Sequence, residues 1–392
     1  MPNKINAEDF KEKNIKFINL YNDNVSQRDI GTELKISLTT VKDKVGKGIS
    51  LGVIKKRAPV NKSIKESKLA KEILKEQDEK RLIQQQVKEQ SRTELIIDSI
   101  KEVIIPIKFY DNIVYKSVGN SKEEEEAVLI LSDVHVGKIT KSYNSDIFKE
   151  RLNIVNNRML RIIELLRNGY KINTLNIVLG GDIVDGESIY PTQAMSIDQG
   201  ALKQVFQTGV PEFSSMFINL LKYFKKINIH CIKGNHGRSG KFADETSNWD
   251  LALYEACKAT TQNYKNIEWN ISYYWDNRFK IYDWKFLLVH GHQIKMQLNI
   301  PHYGVTTKGM RWQGSSKGGF DYLLMGHFHT AQMAEWNQFE YFMNGTFSTD
   351  DEFSEEVIGM MGSAKQLFFG VHPRKGITWR YKINLDTSNE KI

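Results

Sequence analysis

Apolar and polar positions divide the chain into three stretches with different periods. From about residue 8 to 58 the apolar residues recur at helical spacing. Phe10, Ile15, Phe17, Ile18 and Tyr21 share one such pattern, which predicts a helix across EDFKEKNIKFINLYNDN. Ser26 and Asp29 then have the spacing of a helix cap with a back-bonding acid, and Ser37 is a second cap. Ile30 and Leu34 fall on one face of the second helix; Leu38, Val41 and Val45 fall on one face of the third. Gly31 is small where two helices must approach, and LGVIKKRAP beyond the third helix reads as a short basic wing.

From 61 to 105 the pattern changes. This stretch holds no Gly or Pro and is dense in Lys, Glu and Gln, which favours a long exposed helix. Leu69, Ile73, Leu82 and Val87 keep no clean heptad, so a solvated helical linker is expected ahead of a coiled coil, with a homo-oligomerising arm as the alternative. NSKEEEE, 120–126, reads as a charged loop. From 106 to 392 short apolar runs alternate with helical patterns, the signature of a mixed α/β domain. Three segments thus follow: 1–60, a small all-helical unit; 61–105, the linker or arm; and 106–392, the α/β domain.

Charge sharpens the first segment. Residues 1–62 carry 13 Lys/Arg against 7 Asp/Glu, which is +6 of the chain's net +8. A basic module on a nearly neutral body suggests a polyanion partner, although a modest positive charge also serves solubility. The three-helix pattern resembles a helix-turn-helix whose third helix presents Thr40, Lys44 and Lys47 to a DNA groove. The same residues also allow a three-helix unit that only packs on protein. No run of eighteen apolar residues predicts a membrane span, and the polar start predicts no signal peptide. Two cysteines, Cys231 and Cys257, exclude a disulfide framework and a cysteine zinc finger, which suits the cytoplasm.

Five apolar runs in the third segment end in residues that bind metals. VLILSDVHVG brings Asp133 and His135; LNIVLGGDIVDG brings Asp182 with Asp185 behind it; INIHCIKGNHGR brings Asn235 and His236. FLLVHGHQ brings His290 and His292, and DYLLMGHFHT brings His327 and His329. One histidine at a strand end is ordinarily a structural, hydrogen-bonded residue. Here six of the chain's nine histidines fall in these endings. Parallel strands collect their carboxyl ends on one sheet edge, and strand alternation is expected to send both members of Asp-x-His and His-x-His to the same side. Glycines at 180, 181, 234, 291 and 326 permit sharp turns there. Carboxylate, amide and imidazole together suit manganese, iron or zinc better than calcium.

These motifs, D-x-H, G-D-x-x-D, G-N-H, H-G-H and G-H-x-H, occur in order over about 127–330, and the pattern resembles the calcineurin-like metallophosphoesterase superfamily. The resemblance implies a four-layer α-β-β-α sandwich around two divalent ions, manganese first, with iron, zinc or magnesium as alternatives. It implies that Asp133, His135, Asp182 and His329 hold one ion, and that Asp182 bridges to a second held also by Asn235, His290 and His327. Such a pair, roughly 3.5–4 Å apart, clamps a phosphoryl group and bridges the attacking hydroxide. His236 resembles the family's general acid. Many members continue G-N-H with an acid, whereas this chain has Gly237 and Arg238.

Asp185 and His292 are expected to orient ligands. Arg238 reads as a phosphate contact or a surface arginine. So does Arg311, which lies in IPHYGVTTKGMRWQGSSKGG, 300–319. That stretch reads either as a loop near the metals, contacting nucleic acid and stacking a base on Tyr303 or Trp312, or as an ordinary surface loop.

The expected function is a metal-dependent phosphodiesterase acting on DNA, resembling the nuclease subunits of double-strand-break repair and, more loosely, bacteriophage phosphoesterases. The alternatives are a nucleotide phosphatase or phosphodiesterase for small substrates, and a DNA-binding regulator that uses the domain as a platform.

Overall fold

The computed structural model describes residues 6–57, 75–81, 83–84, 123–297, 300–315, 317–349 and 363–386. It divides into two compact units, 1–85 and 86–392.

The first unit contains helices α1 (Ala7–Lys13), α2 (Ile15–Asn22), α3 (Gln27–Leu34) and α4 (Leu38–Ser50). The single helix expected over 10–21 is two. The chain breaks at Asn14, whose side chain donates to the Phe10 carbonyl at 2.9 Å, so a side-chain bond replaces the next helical one. The two serine caps form as their spacing predicts: the amide of Asp29 donates to Ser26 Oγ at 3.2 Å and that of Thr40 to Ser37 Oγ at 3.1 Å. A side chain at Gly31 would place its Cβ 2.9 Å from the Ile36 carbonyl oxygen, so the α3–α4 turn closes only over glycine. Phe17, Ile18, Tyr21, Ile30, Val41, Val45 and Ile54 form the core.

Three details of this unit differ from the pattern. Leu38, at the start of α4, is 39% exposed and stays out of the core. Lys44 is half-buried: its ammonium donates to Asn14 Oδ1 at 2.7 Å and lies 5.8 Å from the Phe17 ring centre, whereas Thr40 and Lys47 are exposed. Its long stem reaches over the α2 face, where the Asn14 amide satisfies the charge. No strand forms in 51–57; Arg57 stacks on Tyr21 at 3.9 Å and donates to the Val25 carbonyl at 2.8 Å, tying the basic segment back onto α2. Of the linker, 75–81 and 83–84 are helical and exposed, and the rest of 61–105 lies outside the described residues.

In the second unit, strands β1 (Glu124–Leu131), β2 (Lys171–Leu179), β3 (Lys226–Cys231) and β4 (Ile267–Ile271) form one sheet with β10 (Lys365–His372) and β11 (Gly376–Asn384), in the order β11-β10-β1-β2-β3-β4. The second sheet runs β5 (Asp276–Ile281), β6 (Trp284–Val289), β7 (Tyr322–Met325), β9 (Phe339–Met343), β8 (Gln332–Trp336). Neighbours β1–β2, β2–β3, β3–β4, β6–β7 and β7–β9 are parallel.

Alternation along β1 explains the layering. Ala127, Leu129 and Leu131 face helices α5 (Ser145–Leu166), α6 (Val210–Leu220) and α7 (Trp249–Thr260). Val128 and Ile130 face the other sheet, where Phe286, Leu288, Leu324 and Phe342 meet them. A strand buried on both faces reads as an unbroken apolar run, which is why VLIL carries no polar alternation. On α5, Phe148, Leu152, Val155, Met159 and Ile163 recur every three or four residues and are buried, each contributing roughly 1.5–3 kcal/mol. Helix α8 (Pro301–Gln313) covers the outer face of the second sheet through Val305 against Leu323, Met325 and Tyr341. Helices outside and two sheets inside make the four-layer α-β-β-α arrangement of a metallophosphoesterase.

Two loop expectations change. Glu124–Glu126 belong to β1, and buried Glu125 is satisfied at 2.7 Å by both Thr378 Oγ1 and Trp379 Nε1 of β11. Residues 301–313 are helical despite their glycines. Pro301 starts the helix, and a Cβ at Gly304 would lie 2.2 Å from the Lys295 carbonyl oxygen, so the glycine is a contact point. Trp312 packs on Trp275 at 5.3 Å, which takes it out of service as a free stacking platform.

Candidate metal centre

The five motifs follow β1, β2, β3, β6 and β7, at the carboxyl ends of parallel strands. They lie beyond the strands, so strand alternation is not what aims their side chains. Asp133, His135, Asp182, His327 and His329 instead have positive φ, between 50° and 73°. Each such residue costs on the order of 1–3 kcal/mol, and the left-handed backbone turns successive side chains inward. Neighbouring loops share the load: the amide of Asp133 donates to the Gly181 carbonyl at 3.1 Å and that of His135 to the Asp182 carbonyl at 3.0 Å. Gly234 and Gly326 are required by close approach. A Cβ at Gly234 would lie 2.0 Å from Asp182 Oδ1, and one at Gly326 2.3 Å from Asp133 Oδ2.

Ligand atoms of Asp133, His135 and His329 lie within 4.8 Å of one another, as do those of Asp182, His290 and His327. Asp182 also groups with His135 and His236. His290 Nε2 is 2.9 Å from Asp182 Oδ2 and 3.0 Å from Asn235 Oδ1, which draws Asn235 into the cluster. His135 Nε2 faces His329 Nε2 at 3.2 Å.

The protonation pattern shows what the cluster needs. His290 Nδ1 sits 2.8 Å from the Gly180 carbonyl, which only accepts, so Nδ1 carries the hydrogen. In the neutral ring Nε2 is then a bare lone pair facing two oxygen acceptors. His135 Nδ1 likewise bonds Asp185 at 2.9 Å, leaving its Nε2 bare toward His329. At His290, buried acceptors facing one another call for a proton or a metal ion between them. With protein groups alone, burial opposes the charged form of His290, but the charge of Asp182 outweighs it and raises its pKa to about 9. A divalent metal meets the same demand without a proton, and the imidazole, carboxylate and amide donors suit one.

His236 is placed differently. Its side chain is 22% exposed, while His135 and His290 are fully buried. Its Nδ1 donates to Asp185 Oδ1 at 3.1 Å, the same oxygen that His135 uses. Burial works against the charged ring, but the charge of Asp182 and the bond to Asp185 prevail and raise its pKa above the ordinary value. Burial and the nearby His236 instead lower His135 to about 4. Of the two rings that share Asp185, the partly open one has its charged form favoured and the buried one disfavoured.

Asp185 bonds two rings through one oxygen. The His292 ring lies 5.6 Å from His290 and 6.3 Å from His327, and its buried Nδ1 has no hydrogen-bond partner among the described residues. Arg238 follows His236 and is exposed, with its backbone paired to Asn248. Arg311 is exposed on α8. Thr40, Lys44 and Lys47 belong to the other unit.

Several participants carry no local signal. Asp250, buried at the start of α7, accepts from the amides of Asp182, Ile183, Val184 and Gly234 at 2.8–3.0 Å, and so fixes two motifs at once. In sequence it resembles any acid in a helix first turn. Burial, then the charge of Asp182, raises its pKa to about 6. Ser132 Oγ donates to Asp133 Oδ2 at 2.6 Å, and Asn235 Nδ2 donates to the Tyr190 hydroxyl at 2.8 Å.

The profile of calcineurin-like phosphoesterases matches residues 127–332. The SPbeta prophage-derived uncharacterized protein YonJ of Bacillus subtilis (strain 168) is 24% identical over 226 residues, 55% of this chain and 52% of its own, so the chain spans about half the length of that relative. Among solved structures, Entamoeba histolytica Vps29 complexed with zinc is 12% identical, covering 66% of this chain and 99% of its own, with a TM-score of 0.30. A novel archaeal phosphodiesterase is 14% identical over 65% of this chain and 99% of its own, with a TM-score of 0.31. The hypothetical protein PH1004 of Pyrococcus horikoshii OT3 is 12% identical over 67% and 89%, with a TM-score of 0.34. None of the described helices is long and apolar enough to cross a membrane. With the profile spanning all five motifs, and the cluster they build offering groups that could hold a metal ion, the chain belongs to the calcineurin-like phosphoesterase family.

Proposed function

We propose that the chain is a two-metal phosphodiesterase that cuts DNA. The observation that carries this reading is the pair of converging acceptor groups, with Asp182 within reach of His135 on one side and of His290 and His327 on the other. Asp133, His135, Asp182 and His329 would hold one ion; Asp182, Asn235, His290 and His327 would hold the second. Manganese suits this mixture of ligands. Such a pair, when bound, would supply Lewis-acid activation of the phosphoryl group and of the attacking water. The chain's own part is to supply the proton: His236, whose protonated form Asp182 and Asp185 favour, donates to the departing oxygen. Asp185 holds that ring by its Nδ1, which leaves Nε2 for the substrate.

The DNA half of the proposal draws on the N-terminal unit. It carries +6 within 62 residues, and its capped α3-turn-α4 pair is of the helix-turn-helix kind, with Thr40 and Lys47 open to solvent. Lys44, half-buried and bonded to Asn14, is less open than these two.

The test is a panel of bis-p-nitrophenyl phosphate, nucleotides, and single- and double-stranded DNA with manganese, on wild type and His236→Ala. DNA cleavage is expected, with the variant keeping its metal and losing roughly 10²–10⁴-fold in rate on DNA. Turnover of nucleotides but not DNA would move the assignment to a small-substrate phosphatase. Loss of metal in the variant would make His236 a ligand.

A further inference from the structure

We propose that Tyr190 is a positioning residue of the metal centre, whose hydroxyl holds the Asn235 amide in its ligating orientation. The inference rests on the reading of Asn235 as a ligand. Asn235 offers one oxygen and one NH2 on a freely turning amide, and only the oxygen binds a cation. The amide has its Oδ1 3.0 Å from His290 Nε2 and donates its Nδ2 hydrogen, 2.8 Å away, to the Tyr190 hydroxyl. With a cation at Oδ1, the NH2 is left on the opposite side and needs an acceptor. Asn235 itself is buried, so the acceptor has to come from protein, and Tyr190 supplies it.

The placement of Tyr190 is itself supported. Gln193 Oε1 accepts from the amides of Ile189 and Tyr190, at 2.9 and 3.3 Å, while Gln193 Nε2 donates to the Asp185 carbonyl. The loop bearing the tyrosine is therefore clamped to the residue that orients His135 and His236. Ser188 Oγ bonds the Ser239 carbonyl at 2.9 Å, joining that loop to the one carrying Asn235 and His236. A tyrosine that is 44% exposed gains little from burial, so a two-sided clamp on it points to the hydroxyl contact. Its ring also lies 5.0 Å from the His236 ring, and phenylalanine would preserve that neighbour.

The test is titration of the metal-free full-length protein with manganese, followed calorimetrically, for wild type, Y190F, N235D and the double variant. Loss of an outer partner typically costs 10–100-fold in metal affinity, so Y190F should weaken one class of site by about that factor and spare the other. A carboxylate presents oxygen on both sides and needs no acceptor for an NH2. N235D should therefore bind metal with the same affinity whether residue 190 is Tyr or Phe. That rescue separates orientation from a general loosening of the loop, which the carboxylate would not repair. Equal affinities in Y190F and wild type would overturn the inference, as would an N235D background equally weakened by Y190F. A wild-type protein that binds no manganese would instead fail the reading of the cluster as a metal centre, and this inference with it.

Discussion

Asp185→Asn isolates the electrostatic part of the proposed mechanism. One oxygen, Oδ1, accepts from both His135 Nδ1 at 2.9 Å and His236 Nδ1 at 3.1 Å, and asparagine can leave a carbonyl oxygen in that place. Shape is kept and the negative charge is removed. Hydrogen bonds to charged groups contribute about 1.5–3 kcal/mol and neutral ones about 0.5–1.5, so each ring loses on the order of 1–1.5 kcal/mol. For His236 the loss falls on the protonated ring, which lowers its pKa. The sign follows from its role. An acid is active while protonated, so activity falls as pH rises through its pKa, and a lower pKa moves that alkaline limb to lower pH. For His135, a neutral ligand, the same loss weakens metal binding by about tenfold at the low end of such effects. The assay is kcat against pH at saturating manganese with a dinucleotide, whose alkoxide leaving group needs the proton. A p-nitrophenyl ester, with a stable leaving group, should show a smaller shift. An unmoved alkaline limb for the dinucleotide, in a variant that still binds metal, would refute proton delivery by a ring tuned by Asp185.

Three further outcomes follow from the geometry. Gly234→Ala would put a methyl group 2.0 Å from Asp182 Oδ1, so metal affinity should collapse while the fold loses about 1–3 kcal/mol; calorimetric titration and urea unfolding measure both, and normal metal binding would contradict the close approach. Burial lowers the pKa of His230 to about 3 from 6.5, so the unfolded chain takes up a proton first and stability drops by about 1.4 kcal/mol per pH unit as pH falls from 6.5 toward 3; His230→Gln should lack that part of the slope in urea melts at pH 7 and 4.5, and an equally steep loss would mean the folded protein tolerates the charge. Deleting 1–60 should weaken DNA binding and flatten its salt dependence by about 0.9 log unit per lost phosphate contact, with small-diester hydrolysis retained; equal affinity across a salt series would assign the N-terminal unit another partner.

Sequence alone picked out the residues that the fold gathers into the candidate metal cluster, because each motif is local. A strand end buried on both faces must be apolar, so the polar residues that follow VLIL, IVL, FLLV and YLLM stand out in the chain. The serine caps at 26 and 37 were legible for the same reason, since donor and acceptor lie three residues apart. Where the chain meets itself at long range, the pattern said nothing or misled. Asp250 reads as a helix-start acid until the backbone of 182–184 and 234 is brought against it. The acidic run at 124–126 reads as a loop until β11 supplies Thr378 and Trp379 to Glu125. Lys44 reads as groove-facing until Asn14 ends its helix and offers an acceptor. The sharing of one Asp185 oxygen by two histidines, one buried and one partly open, arises only when loops from separate strands converge. Residue type and spacing determine what a side chain can donate or accept; which partner it meets is decided by packing between segments that are far apart in the chain.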